Sequence, residues 1–350
     1  MPSTLFCSRR RFVAQMGAAA AVATLGAPAF AQRALTKVRY QLDWRFEAGT
    51  AAHILALRKG YFTEEGLDVT LNVGAGASAT VTRLASGNFD MGTGDLNSLA
   101  EFAGNNAQSP ATAVMVLYET TPAAVFSLKK GAIGKPVDLK GKTIAAPAND
   151  GARRIFPLFA NANGINAQSD VKWLSVEPAL RETMLVRGQA DAITGYIASG
   201  FVSLQRLGVK PDDIAVMRFA DFGVPLYGNA VMASNAFMRE KPAAVAAYLR
   251  ALTRAYKEAV KDRPGTVAAL KAHEPLVDDK IEALRLDVIL DDEIGTANVR
   301  KAGIGLIDAA RYQQGIDSLA KALEFKSVPK ASALIDMQFL PNAAERRIYA

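Results

Sequence analysis

From Val38 onward the chain alternates short strand-like runs with helix-like runs, and this rhythm limits its fold more than any other feature. Val38–Leu42, Asp68–Val73, Phe89–Thr93 and Ala113–Tyr118 read as strands. Between them Ala51–Lys59, Ala79–Ala85 (with Ser78 as N-cap) and Leu96–Ala103 read as helices. Strands that alternate with helices predict a mostly parallel sheet covered on both faces by helices.

The rhythm restarts after Pro122. Ala124–Leu128 is strand-like and runs into a Gly/Pro loop at Lys130–Pro136. Thr143–Ala146, Val171–Val176, Ala190–Thr194 and Ile214–Phe219 read as further strands, with helices at Gly151–Ala162, Pro178–Arg187 and Ser199–Leu207. Ala230–Ala233 then returns the chain to its first unit. The clearest helix is Lys241–Lys261, where Val245, Leu249, Leu252, Tyr256 and Val260 form an apolar stripe and Arg250, Arg254, Lys257 and Lys261 lie outside it. The pattern stays helical to about Leu323. The predicted organisation is two doubly wound α/β lobes: residues 32–123 with 222–350, and residues 124–221 inserted between them. A ligand cleft would lie between the lobes, at the C-terminal ends of strands and the N-termini of helices.

The first 31 residues stand apart. Ser8-Arg9-Arg10-Arg11-Phe12-Val13 is a basic start with twin arginines, Met16–Ala27 is apolar but short for a bilayer, and Ala29-Phe30-Ala31 is a small-x-small cleavage site. This reads as a twin-arginine-like export signal, with a Sec-type signal as the alternative. Cleavage after Ala31 would remove three of 41 basic residues and none of 34 acidic ones, leaving a charge of +4 from +7. It would also remove Cys7, the one cysteine, so no thiol chemistry or cysteine metal site is expected. With no long apolar run after the signal, the expectation is a soluble periplasmic protein. No Lys/Arg block exceeds three residues, which argues against a nucleic-acid partner.

Polar residues collect where strands end. Asp43 and Trp44 follow the first strand, and His53 opens the next helix. Thr93 and Asp95 close the third strand; Asn149 and Arg153 flank a helix start; Tyr196 ends a strand; Tyr227 sits at the return crossing. Under the doubly wound rule each would face one cleft. An indole and tyrosines offer flat apolar contact, helix N-termini offer free N–H groups, and Arg153 offers a two-pronged clamp. Plainer readings stand beside these: Trp44 as core, His53 as a packed histidine, Asp95 as a helix N-cap, Arg153 as solvated surface. Asp291-Asp292-Glu293 reads as a solvated helix face.

Gly-x-Ser-x-Gly, His-Glu-x-x-His and phosphate-loop motifs are absent, and with two histidines neither a metal nor another cofactor is expected. The stretch "QLDWRFEAGTAAHILALRKGYFTEEGLDV", together with "DLKGKTIAAP", resembles the solute-binding proteins of ABC importers for nitrate, sulfonate, taurine and thiamine-precursor pyrimidines. The resemblance implies a type II periplasmic binding fold, a small-molecule ligand, and delivery to an inner-membrane permease with a cytoplasmic ATPase; a monomer is expected. By matching motif it carries Asp43, Trp44 and His53 over as pocket residues; Thr93, Asp95, Asn149 and Tyr196 follow only by position. Pyrimidine-binding members often continue Leu-Asp-Trp with Pro-Asn, whereas this chain has Arg45-Phe46-Glu47, which weighs against a pyrimidine and leaves an aromatic carboxylate or another heteroaromatic solute open. The same fold family includes fungal pyrimidine synthases, whose cysteine-rich iron motif is missing here, and periplasmic ligand sensors.

Overall fold

The structure, a computed structural model, describes Met1, residues 34–106 and residues 109–349. Apart from Met1, the expected export signal, residues 1–31, lies outside the described residues.

Among the described residues ten strands form two five-stranded sheets. They are β1 (Thr36–Gln41), β2 (Leu67–Asn72), β3 (Met91–Asp95), β4 (Ala111–Val116), β5 (Ala123–Leu128), β6 (Thr143–Ala146), β7 (Lys172–Ser175), β8 (Ala192–Tyr196), β9 (Ile214–Arg218) and β10 (Asn229–Ser234). The first sheet has the order β2-β1-β3-β10-β4 and the second β7-β6-β8-β5-β9. In each, the first three strands pair in parallel and the fourth position is antiparallel to both neighbours. That fourth strand is the one that has just crossed between sheets: β5 enters the second and β10 returns to the first. The parallel strands run towards the cleft. A crossing strand starts there, so it must run away from it, which explains the reversed direction.

Helix placement follows the apolar pattern. Along the Pro242–Lys261 helix Val245, Leu249, Leu252 and Tyr256 are buried against the first sheet's core, while Arg250, Arg254, Lys257 and Lys261 are exposed. Arg250 and Arg254 pair with Glu65 and Glu64, tying that helix to the Tyr61–Glu64 turn. In the second half Phe156, Phe159 and Phe219 pack as one aromatic cluster, with Phe159 and Phe219 stacked at 4.5 Å. No helix among the described residues is long and apolar enough to cross a membrane.

One element departs from expectation. The Asp279–Val288 helix continues into a π-helical turn, Ile289–Ile294, instead of a regular α-helix. Such a turn absorbs an additional residue and rotates the side chains beyond it around the helix axis. Asp291 and Asp292 stay exposed, but Glu293 is buried. The solvated acidic face expected at Asp291-Asp292-Glu293 therefore holds for its first two members only.

Candidate functional site

Between the two halves lies a cavity of about 50 Å³. Asp43, Trp44, Arg45 and Glu47 line it from the loop after β1, and Gly76 and Ala77 from the start of the Ala77–Ala85 helix. Tyr118 contributes from the first crossing, and Ile289 and Glu293 from the π turn. The second half supplies Asp150 and Gly151 at the start of the Gly151–Ala162 helix, Arg181, and Tyr196, Ala198 and Ser199 around the start of the Ile197–Arg206 helix. These are strand ends and helix starts, where an open α/β sheet places its ligands.

The acids of the cavity are poorly solvated. Asp43 accepts a hydrogen bond from Asn229 Nδ2 at 2.7 Å, yet desolvation pushes its carboxyl up to about 7. Glu293 accepts from the Ala198 amide at 2.9 Å and is likewise pushed up to about 7 by burial. Asp150 caps its helix by accepting from Arg153 N at 2.9 Å, and burial holds its carboxyl above the usual range despite Arg181 nearby.

The cavity's three guanidinium groups are all paired. Arg181 meets Asp150 at 3.3 Å and Glu182 at 2.5 Å. Arg285 meets Glu282, and Glu47 at 3.3 Å. Arg45 meets Glu47 at 2.5 Å. Arg181 and Arg45 also flank the Trp44 ring, at 5.4 and 5.8 Å from its centroid. The Trp44 indole N–H and the Arg45 Nε–H are buried and have no partner among the described residues. Tyr118 and Tyr196 meet edge to face at 6.2 Å, and the Tyr196 hydroxyl donates to Asn229 Oδ1 at 2.9 Å across the cleft. The site is thus a flat-walled slot with aromatic sides, surplus carboxylate and no uncommitted cation among the described residues that line it.

The nine residues singled out from sequence separate into three groups. Asp43, Trp44 and Tyr196 line the cavity. Asp95 and Asn149 lie beside it. Asp95 caps the Leu96–Asn105 helix, accepting from Ser98 N at 2.8 Å, and is pushed up to about 6 by burial. Asn149 stands at the cleft edge, where its carbonyl faces Gly76 so closely that a Cβ there would sit 2.2 Å away. His53, Thr93, Arg153 and Tyr227 lie elsewhere. His53 is buried behind the slot, with Nδ1 2.8 Å from the Tyr248 hydroxyl and its ring 4.9 Å from Tyr40. Thr93 shares that buried network through the Tyr40 hydroxyl at 2.7 Å. Arg153 lies against the outer face, over the Trp173 ring at 4.7 Å and donating to Ser175 Oγ at 2.9 Å. Tyr227 accepts from Asp308 N at 3.0 Å and lies under Arg311.

Tyr118, Arg181, Arg285 and Glu293 are not among the residues that sequence reading places in the cleft, whereas Asp150, beside Asn149 at the same strand-to-helix turn, is placed there by position. An Asp just before a helix is also a cap at the cleft edge. Arg181 and Arg285 sit within helices and carry no motif. Glu293 depends on the π turn.

Comparison with known proteins adds the family context. A family model described as "NMT1/THI5 like" matches residues 48–264. The chain is 27% identical over 265 residues to the formylaminopyrimidine-binding protein of Halalkalibacterium halodurans, spanning 74% of this chain and 78% of that one. It is 28% identical over 230 residues to 4-amino-5-hydroxymethyl-2-methylpyrimidine phosphate synthase of Aspergillus parasiticus, spanning 63% and 65% of the two chains. The alkanesulfonate-binding protein SsuA of Xanthomonas axonopodis pv. citri, solved bound to MOPS, superposes with a TM-score of 0.67 at 16% identity, covering 86% of this chain and 98% of that one. The expected fold class stands: the chain has the periplasmic binding protein fold, built on two five-stranded sheets.

Proposed function

Because the chain belongs to the NMT1/THI5-like family, we propose that it is an exported solute-binding protein of an ABC importer. It captures a flat nitrogen heterocycle bearing hydrogen-bond donors and hands it unaltered to a membrane permease. The observation that carries this reading is the charge balance of the slot. Asp43 and Glu293 face a cavity whose three guanidinium groups are already paired with other carboxylates, Arg181 with Asp150 among them. An anion entering there would meet carboxylates and guanidinium groups whose charge is already balanced by Glu47, Asp150, Glu182 and Glu282. A heterocycle with amino groups would donate to them, stack against Trp44, Tyr118 or Tyr196, and accept from the Trp44 indole N–H. Each such acceptor or donor left unpaired on binding the wrong solute would cost about 1–3 kcal/mol.

The Arg45-Phe46-Glu47 departure weighs less against a pyrimidine than its sequence suggests. Arg45 and Glu47 pair with each other at 2.5 Å and so cancel locally. A formylaminopyrimidine, the solute in the name of the Halalkalibacterium relative, fits this chemistry. A binder is favoured over a synthase by the composition of the slot, which offers aromatic walls and paired charges, and by the single cysteine, Cys7, in the expected export signal. The two crossings near Tyr118–Ala124 and Asp221–Asn229 would serve as the hinge between the lobes proposed at residues 124–221 and on either side.

Calorimetric titration with a formylaminopyrimidine, an alkanesulfonate and an aromatic carboxylate tests the reading, with mass spectrometry of the recovered solute. One-to-one binding of the pyrimidine, recovered unchanged, is expected. Conversion of the pyrimidine, or binding of the sulfonate alone, would overturn it.

A further inference from the structure

We propose that Arg285 and Glu293 form a buried side-chain tie between the two halves of the chain, one that limits how far the cleft opens; this rests on reading the cleft as a solute-binding site. The chain itself crosses twice. Side chains add further links, among them Tyr196 to Asn229 and Arg154 to Glu101, and the one made by Arg285 and Glu293 converges on one residue. Glu293 Oε1 accepts the Ala198 N–H at 2.9 Å, and Arg285 Nε donates to the Ala198 carbonyl at 3.3 Å. Arg285 Nη2 also donates to Ser203 Oγ at 2.9 Å, one turn further along the same helix. A donor, an acceptor and a hydroxyl of the Ile197–Arg206 helix are thus held by one segment of the other half.

That segment is anchored at its own base. Glu282 accepts the Ala48 amide at 2.7 Å, and Arg285 lies 3.3 Å from Glu47. Relative exposure is 2% for Arg285, 6% for Glu293, 3% for Ala198 and 5% for Ser203. Hydrogen bonds to ions in such surroundings are stronger than their exposed equivalents, and removing one partner leaves a buried charge unsatisfied. The Ala198 amide lies in the first turn of its helix, where no intrahelical acceptor exists and a carboxylate is favoured.

The π turn makes the arrangement geometrically possible. Positions 285 and 293 are eight apart, which in a regular α-helix would place them ~80° apart around the axis. The turn at Ile289–Ile294 takes up the additional residue and brings Glu293 back to the side of Arg285. Arg285, Ala198 and Glu293 also line the cavity, so a solute there touches the groups that hold the halves together.

The test uses the full chain carrying Cys7→Ser, with spin labels at Ser86→Cys and Ser169→Cys, exposed positions on opposite halves. Distances between labels are measured without any solute. Glu293→Ala and Arg285→Ala are expected to shift the distribution to longer and broader separations. Glu293→Gln keeps an acceptor for the Ala198 amide and is expected to retain the parent distribution. A carboxylate that served only to contact solute would leave the unliganded distances unchanged in all three variants, which would overturn the proposal. A Gln variant that opens as far as the Ala variant would also overturn it. Circular dichroism identifies variants that fail to fold; should Arg285→Ala be one, the Glu293 pair decides. Since no solute is present, failure of the titrations above and failure of the tie are separate results.

Discussion

Asp43, Trp44 and His53 came from one motif, but the structure gives them different work. Trp44 stands in the slot between two guanidinium groups. His53 sits behind it, held by Tyr248 and packed on Tyr40, and burial lowers its pKa to about 3, so it remains neutral. The motif is therefore half platform and half support. Trp44→Ala is expected to lower solute affinity at least tenfold, about 1.4 kcal/mol, in calorimetric titration. His53→Ala leaves the Tyr248 hydroxyl short of a partner and opens a void under β1. It is expected to cost about 2–3 kcal/mol of stability in denaturant unfolding, with a smaller effect on affinity. The reverse split would place His53 at the solute.

At the scale of elements, the sequence made some features legible and hid others for identifiable reasons. Strand and helix runs declared themselves through their periods, as in Pro242–Lys261, because burial on one face forces that spacing. The reversed direction of β5 and β10 leaves no local trace, since direction depends on where a strand starts in space. The phase change at Ile289–Ile294 hides for a similar reason: a period of 3.6 run through Asp291-Asp292-Glu293 gives the wrong face. Arg181 and Arg285 pair with their near neighbours Glu182 and Glu282, but their place in the cleft becomes visible only when Asp150 and Glu47, 31 and 238 positions away, are brought beside them. One close approach between elements is testable. The loop before the Ala77–Ala85 helix meets the loop before Gly151–Ala162 at Gly76, whose φ of +140° and contact with Asn149 leave no room for a Cβ. Gly76→Ala is expected to hold these loops apart and weaken solute binding by at least about tenfold, read by titration, with the rest of the fold intact by circular dichroism. Unchanged affinity would mean that the loops separate without consequence for the site.

For the molecule as a whole, the cleft is stabilised by protonation. Three carboxyl groups at or beside the slot have raised values: Asp43 and Glu293 at about 7 and Asp95 at about 6, against ordinary values of 3.8, 4.5 and 3.8. Asp150 and Glu282 shift in the same direction. Between these ordinary values and the folded ones, the native state holds more protons than the unfolded chain. Their contribution is therefore complete below about pH 4 and is lost as pH rises towards 7. His53, lowered from 6.5 to about 3, opposes this, because the unfolded chain takes up its proton first and stability from that site is lost as pH falls. His273, also lowered, acts in the same sense as His53. Two histidines set against five carboxyl groups leave the acids in control. The unliganded protein is thus expected to melt at a higher temperature at pH 5 than at pH 7.5. Glu293→Gln and Asp43→Asn, which replace an ionising group by a neutral one, should each flatten that slope. A melting temperature that climbs from pH 5 to 7.5, or a slope untouched by both substitutions, would mean that these carboxyl groups ionise freely in the cleft.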